Sequence, residues 1–243
     1  MNPVDPSNLK SIGTLESCYR DKFGTPRQPG LSPQAWSQLK IRGELQPEQA
    51  LQGLENFSHV WLIFLFHQNK TARYHAKVHP PRLGGESMGV FATRSPHRPN
   101  PIGLSLVELV KIEGDTLFFA GADLVDGTPI LDIKPYIPEI EAKPDARTGW
   151  LGQARQADIT VEFLPEATEV LAMWQIQHPG KKLKEIIVDT LKLDPRPVVY
   201  RGYEDEISPY RSDHAFRLLD GDVHFRFLSA QNVTVFKILL MHN

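Results

Sequence analysis

Between Leu104 and Pro138 the chain reads "LSLVELVKIEGDTLFFAGADLVDGTPILDIKPYIP", three apolar runs separated only by Gly114-Asp115 and Asp126-Gly127. The second dipeptide is a good tight turn between apolar runs, and strands this closely spaced leave no room for βαβ crossovers. Upstream, Lys10 to Tyr19 reads as a first strand, and "GTPRQPG" from Gly24 to Gly30 as a loop held by two prolines and closed by glycine. A short amphipathic helix is expected over Pro47 to Leu54. "SHVWLIFLFHQ", Ser58 to Gln68, is a near-continuous apolar run that predicts a strand buried on both faces and ends abruptly on His67 and Gln68. Strands this closely spaced predict a mainly β fold, a small β-barrel over residues 1–140.

A polar connection from Glu139 to Asp158 then marks residues 141–158 as a linker to a small α+β domain over 159–243. In that tail Pro165 suits the first turn of a helix whose apolar face is Val170, Leu171, Trp174 and Ile176. A second helix carries Leu183, Ile186, Ile187 and Leu191 and is stopped by "DPRP" at Asp194 to Pro197. Strands around an Asp220-Gly221 turn close the chain.

Composition narrows the function. The longest apolar run, Val60 to Phe66, is far too short to span a bilayer, and the first residues lack a secretory signal, so a cytoplasmic protein is expected. A single cysteine, Cys18, forms neither an internal disulfide nor a thiolate zinc site. The net charge of −2 conceals a local field. Lys70, Arg73, Lys77, Arg82, Arg94 and Arg98 make a basic stretch opposed only by Glu86, and an acidic one follows through Glu108, Glu113, Asp115, Asp123, Asp126 and Asp132. A basic surface abutting an acidic pocket suits a polyanion together with a cationic or hydrogen-bonding small molecule.

The most unusual segment is "GVFATRSPHRPNPIG", Gly89 to Gly103. Pro96, Pro99 and Pro101 forbid regular pairing and leave a stiff loop, which positions its side chains. Arg94 and Arg98 suit phosphate or carboxylate, and Asn100 offers donor and acceptor to a base edge. In "DLVDG", Asp123 and Asp126 either close an ordinary hairpin or grip hydroxyls or an amino group; no third oxygen ligand falls at metal spacing. His75 and His79 in "HAKVH" likewise lack a third zinc ligand. His67 is either a functional group at a strand end or a satisfied core histidine. No glycine-rich dinucleotide fingerprint, P-loop or G-x-S-x-G elbow occurs, which disfavours the common nucleotide folds.

The long run "GVFATRSPHRPN" resembles the signature of the tRNA N6-threonylcarbamoyladenosine methyltransferases. "TPRQPG", "FSHVWLIFLFHQ", "RPNPIG", "SLVEL", "DLVDGTPILDIKPY" and "DPRP" follow in family order over nearly the whole chain, and the tail is similar to that of the longer bacterial members. The resemblance implies a single-sheeted barrel outside the Rossmann class and a homodimer. It also implies that S-adenosylmethionine methylates N6 of the modified adenosine beside the anticodon of tRNA. Carried onto this chain, cofactor contacts fall on Pro26, Arg27 and Gln28, on His67 and Gln68, on Arg94 and Leu104, and on Asp123, Leu124, Val125 and Asp126. RNA contacts are expected from Arg98, Asn100 and Arg196; His67 and Asp126 are the candidate bases, and no metal is expected. The rival readings are a non-catalytic S-adenosylmethionine or RNA-binding module and a methyltransferase with another acceptor.

Overall fold

The computed structural model describes residues 9–69, 74–83, 85–153, 158–197, 200–202 and 212–241. Lys70 and Arg73 of the basic stretch lie outside the described residues, as do the side chain of Arg82 and linker residues 154–157. The first half of the chain contributes strands β1 (Gly13–Ser17), β2 (Trp36–Lys40), β3 (His59–Leu65), β4 (Lys77–Val78), β5 (Met88–Gly89), β6 (Ile102–Glu113), β7 (Thr116–Ala120) and β8 (Thr128–Pro135). It also carries two single-turn helices, α1 (Pro47–Ala50) and α2 (Pro138–Glu141). Six of these strands close a barrel in the order β1-β2-β7-β6-β3-β8, with β8 returning to pair with β1. Every pairing in it is antiparallel. The Gly114-Asp115 turn does join the neighbours β6 and β7, but β7 lies between β2 and β6 and β8 between β3 and β1, so the runs on either side of Asp126-Gly127 are not neighbours. β4 and β5 form a separate two-stranded ribbon inside the β3–β6 connection.

Alternation along the strands fills the barrel with Leu15, Leu39, Val60, Leu62, Phe64, Val107, Leu109, Leu117, Phe119 and Ile130. β3 is buried on its inner face only, since His59, Trp61, Ile63 and Leu65 remain partly or fully exposed outside. The expectation of a strand buried on both faces is therefore corrected: a closed barrel has one dry side, and the apolar outer residues coat its wall.

The tail contains β9 (Thr160–Phe163), α3 (Pro165–Gln177), α4 (Leu183–Lys192), β10 (Asp213–Leu218), β11 (Gly221–Ser229) and β12 (Asn232–Leu240). Its sheet runs β10-β11-β12-β9, with β9 parallel to β12. Pro165 begins α3 as predicted, but the buried face is Ala167, Leu171 and Trp174, while Ile176 is 80% exposed. The β10–β11 turn falls on Leu219-Asp220, one residue earlier than expected, because Leu219 takes the left-handed conformation at φ 55° and Gly221 joins β11. Gly221 packs too close to Trp174 for any side chain, which explains a glycine inside a strand.

The tail's core includes Cys18, Tyr19 and Ala35 from the β1–β2 connection. Tyr19 bridges to Leu218, and the Leu219 N–H donates to the Cys18 carbonyl at 2.8 Å. The domain thus docks on one particular barrel loop. The alternation of up and down strands gathers the connections 18–35, 66–101 and 121–127 at one end of the barrel and leaves 41–58 and the short β6–β7 turn at the other.

Candidate functional site

Those three connections meet in a mouth lined by polar side chains. From the proline-stiffened loop, Arg94 donates through Nη1 to Gln28 Oε1 at 2.7 Å, tying "TPRQP" to "GVFATRSP". Lys22 Nζ donates to the Gln68 carbonyl at 2.7 Å, tying the first connection to the end of β3. The third connection enters through Asp126. Its Oδ1 accepts the Ser17 N–H at 2.8 Å, and its Oδ2 pairs with Arg20.

Asp123 sits deeper. Ser105 is an inward residue of β6, flanked along its face by Val107 and Leu109, and its hydroxyl donates to Asp123 Oδ1 at 2.5 Å. Burial pushes the Asp123 carboxyl up to about 6, against the opposing pull of Ser105 and, more weakly, the nearby Arg94 charge. A half-buried acid whose titration is raised toward neutral pH beside an arginine marks a site more than a structural ion pair. His67 lies over Gly127, whose position for a side chain is 3.9 Å from Nε2. Desolvation and then Lys22 lower its pKa, with Asp126 pulling the other way, so the imidazole is uncharged at neutral pH.

The stiff loop is braced from behind. Arg98 Nη1 donates to the Val90 and Thr93 carbonyls at 3.2 and 2.8 Å, and its guanidinium lies 5.6 Å from the Phe91 ring. Trp150 Nε1 donates to the Ala92 carbonyl at 2.9 Å. Arg98 is thus half-buried and first of all a loop brace, while Asn100 beside it is exposed.

The mouth brings together Gln28, His67, Gln68, Arg94, Asp123 and Asp126. Leu124 is buried beside them, and the Val125 carbonyl receives both the N–H and the hydroxyl of Thr128, which fixes the loop. The "DLVDG" segment is not the tight hairpin its Asp-Gly suggested: β7 already ends at Ala120, and Asp123 to Val125 run irregularly so that the two carboxylates enter from one connection. Pro26 and Arg27 face a neighbouring cavity of about 280 Å³ between this connection and the tail.

Two expected residues are placed otherwise. Leu104 points outward from the barrel wall and is 51% exposed, opposite in direction to Ser105. Arg196 is 3% exposed, with Nε and Nη2 on Asp194 at 2.9 and 3.1 Å and its guanidinium 3.6 Å above the Phe227 ring. That placement corrects the expectation of an RNA-facing cation: Arg196 is built into the domain. The acidic stretch also disperses. Asp115 and Asp132 pair with Lys40 and Lys134 away from the mouth, and only Asp123 and Asp126 reach it. His75 stacks edge-on against His97 while His79 contacts the Gly85 carbonyl, and among the described residues no group of three potential ligands gathers.

Sequence reasoning passed over Arg20, Lys22 and Ser105. A signal for Ser105 existed, since in "LSLVEL" it alternates with inward Val107 and Leu109, and a hydroxyl in a barrel interior needs a partner. Arg20 and Lys22 are ordinary surface cations until the loop's course is known.

The family model described as the tRNA-methyltransferase O N-terminal domain matches residues 14–142, and that of the TrmO C-terminal domain matches residues 156–240. The tRNA (adenine(37)-N6)-methyltransferase of Escherichia coli K12 is 43% identical over 201 residues, covering 81% of this chain and 85% of its own. That of Eikenella corrodens is 45% identical over 175 residues, covering 70% and 91%. A crystal structure of TrmO from Pseudomonas aeruginosa is similar with a TM-score of 0.78 at 37% identity, covering 99% of this chain and all of its own. With both of its halves matched, the chain belongs to the tRNA-methyltransferase O family.

Proposed function

We propose that this chain is an S-adenosylmethionine-dependent methyltransferase acting on N6 of adenosine 37 in tRNA, and that its acceptor is the threonylcarbamoylated adenosine. The observation that carries the reading is the convergence of Gln28, His67, Gln68, Arg94, Asp123 and Asp126 on one barrel mouth, in a chain whose relatives are named for this reaction.

The residues suit the donor's chemistry. Its sulfonium and the ammonium of its methionine end are cations, the carboxylate on the same carbon is an anion, and its other end is a nucleoside; the mouth offers the half-buried carboxylate of Asp123, the guanidinium of Arg94 and two side-chain amides. S-adenosylmethionine supplies an electrophilic methyl group whose leaving group is a neutral thioether. What remains for the protein is alignment, exclusion of water and management of a proton.

Carbamoylation withdraws the N6 lone pair into the adjacent carbonyl, making the nitrogen a poor nucleophile and its hydrogen more acidic. A base is useful there. Asp126 is poorly free to serve, because both of its oxygens are already engaged by Ser17 and Arg20. His67 is exposed at the rim with an uncharged ring, which favours it as the acceptor of that proton. Arg98 and Asn100 lie on the stiff loop beside the mouth, within a basic stretch suited to the anticodon loop and the threonyl carboxylate. A nucleotide in a loop costs little to unstack.

The same proposal extends to a homodimer acting in the cytoplasm, where the tRNA is. Ile63 and Leu65 on β3 lie opposite Leu104 and Ile102 on β6, an apolar strip on the outside of the barrel that a second copy would cover. Light scattering that returns a single chain's mass at assay concentration would remove the dimer. Transfer of labelled methyl to threonylcarbamoylated tRNA tests the activity.

A further inference from the structure

Arg20 stands just beyond β1, and its guanidinium touches both halves of the molecule. Nη1 pairs with Asp126 Oδ2 in the mouth, while Nε donates to the Leu219 carbonyl of the tail at 3.2 Å. Backbone contacts flank these: Arg20 N–H to the Arg217 carbonyl at 3.3 Å, and Asp126 N–H to the Tyr19 carbonyl at 2.8 Å. The Leu219 carbonyl is itself held in place. Leu219 keeps its left-handed backbone in a turn whose next residue, Asp220, accepts from Trp174 Nε1 at 2.8 Å and meets His178 Nε2 at 3.0 Å. Trp174 is wholly buried under the sheet. An unbroken line of contacts therefore runs from α3 through Asp220, Leu219 and Arg20 to Asp126.

We propose that Arg20 is a positioning residue through which the C-terminal domain fixes the orientation of Asp126 for cofactor binding. The inference rests on the reading of the mouth as the S-adenosylmethionine site. A guanidinium carries donors at fixed angles in one plane, so it meets the carbonyl and the carboxylate together; an ammonium is a point charge without that fork. Without Arg20, the Asp126 carboxylate keeps, among the described residues, the Ser17 N–H, a single hydrogen bond about which it can turn. The tail's contribution to the site is then mechanical as well as any it makes toward RNA.

Calorimetric titration of S-adenosylmethionine into the full chain tests this with wild type, Arg20→Ala, Arg20→Lys and Arg217→Ala. If wild type does not bind, the functional reading fails, which is a separate outcome. With wild type binding, Arg20→Ala is expected to weaken affinity about tenfold and Arg20→Lys about threefold. With saturating donor, kcat stays within about threefold, so the loss appears in KM. Arg217→Ala removes a partly exposed pair with Asp21 at the same domain contact but touches no carboxylate of the mouth, and its affinity should match wild type. Wild-type affinity in Arg20→Ala overturns the proposal, and so does an equal loss in Arg217→Ala, which would mean that domain docking in general is responsible. Should Arg20→Ala fail to fold, Arg20→Lys decides by the same criterion.

Discussion

Ser105 on the barrel wall and Asp123 on the β7–β8 connection meet Oγ to Oδ1 at 2.5 Å, so this half-buried carboxylate of the mouth is held by a neutral hydroxyl. With its pKa raised from 3.8 to about 6, the folded chain holds a proton there that the unfolded chain has lost. Stability from this group is complete below about pH 4 and falls as pH rises through about 6, by roughly 3 kcal/mol in all. Asp123→Asn should abolish that slope in urea unfolding between pH 4 and 6 and raise stability at pH 7.5. Its affinity for S-adenosylmethionine should drop at the same time, because the ionised carboxylate is what complements a cation. A variant with the wild-type slope would mean that another group titrates.

His67 gives the catalytic counterpart. Its lowered pKa leaves the imbalance toward the neutral ring, so a base at this position is active at pH values above a midpoint lower than 6.5 and fails below it. His67→Ala should reduce the single-turnover transfer rate about a hundredfold and flatten the acidic limb of its pH profile. An unchanged rate would remove His67 as the base and leave the substrate's own carboxylate.

Arg196 separates scaffold from RNA contact. Its guanidinium is buried over Phe227 and clasps Asp194, although Arg201 Nε also reaches Asp194 at 3.1 Å. Arg196→Ala should therefore cost roughly 2–3 kcal/mol in denaturant unfolding. A variant with undiminished stability that binds tRNA more weakly would restore the RNA-facing role.

Gly103 closes the stiff loop onto β6, directly opposite Phe64. A methyl group there would fall 2.2 Å from the Phe64 ring, which is 5% exposed and hemmed in by the core. Gly103→Ala should lower stability by about 1–3 kcal/mol and the melting temperature by several degrees. The glycine of "RPNPIG" is a packing requirement beside the site, and an unperturbed melting curve would contradict that.

The barrel was legible because closely spaced β runs leave no room for crossover helices, and Pro165 and "DPRP" bracket the helices chemically; which strands pair was not, since β7 and β8 follow one another in sequence without being neighbours. The stiff loop was legible for a similar reason: three prolines in a polar run are incompatible with a strand. What could not be read depends on direction. Arg196 and Arg98 carry the same side chain, yet one is sealed beneath the tail's sheet and the other braces its own loop, and only the course of the backbone separates them. Arg20 carries no sequence signal because its partners are 106 and 199 positions away along the chain. Leu104 and Ser105 are adjacent in sequence and face opposite sides of one wall, so the assignment of either to a pocket needed the register of β6.

The central claim is tested most directly by incubating the purified chain with S-adenosylmethionine carrying a labelled methyl group and two tRNA preparations that differ only in the threonylcarbamoyl group at adenosine 37. The account predicts label on N6 of adenosine 37 in the carbamoylated tRNA and at most a small fraction of it in the unmodified one. Equal labelling of the two would contradict the proposed acceptor, and S-adenosylmethionine binding with no transfer to either would contradict the activity itself.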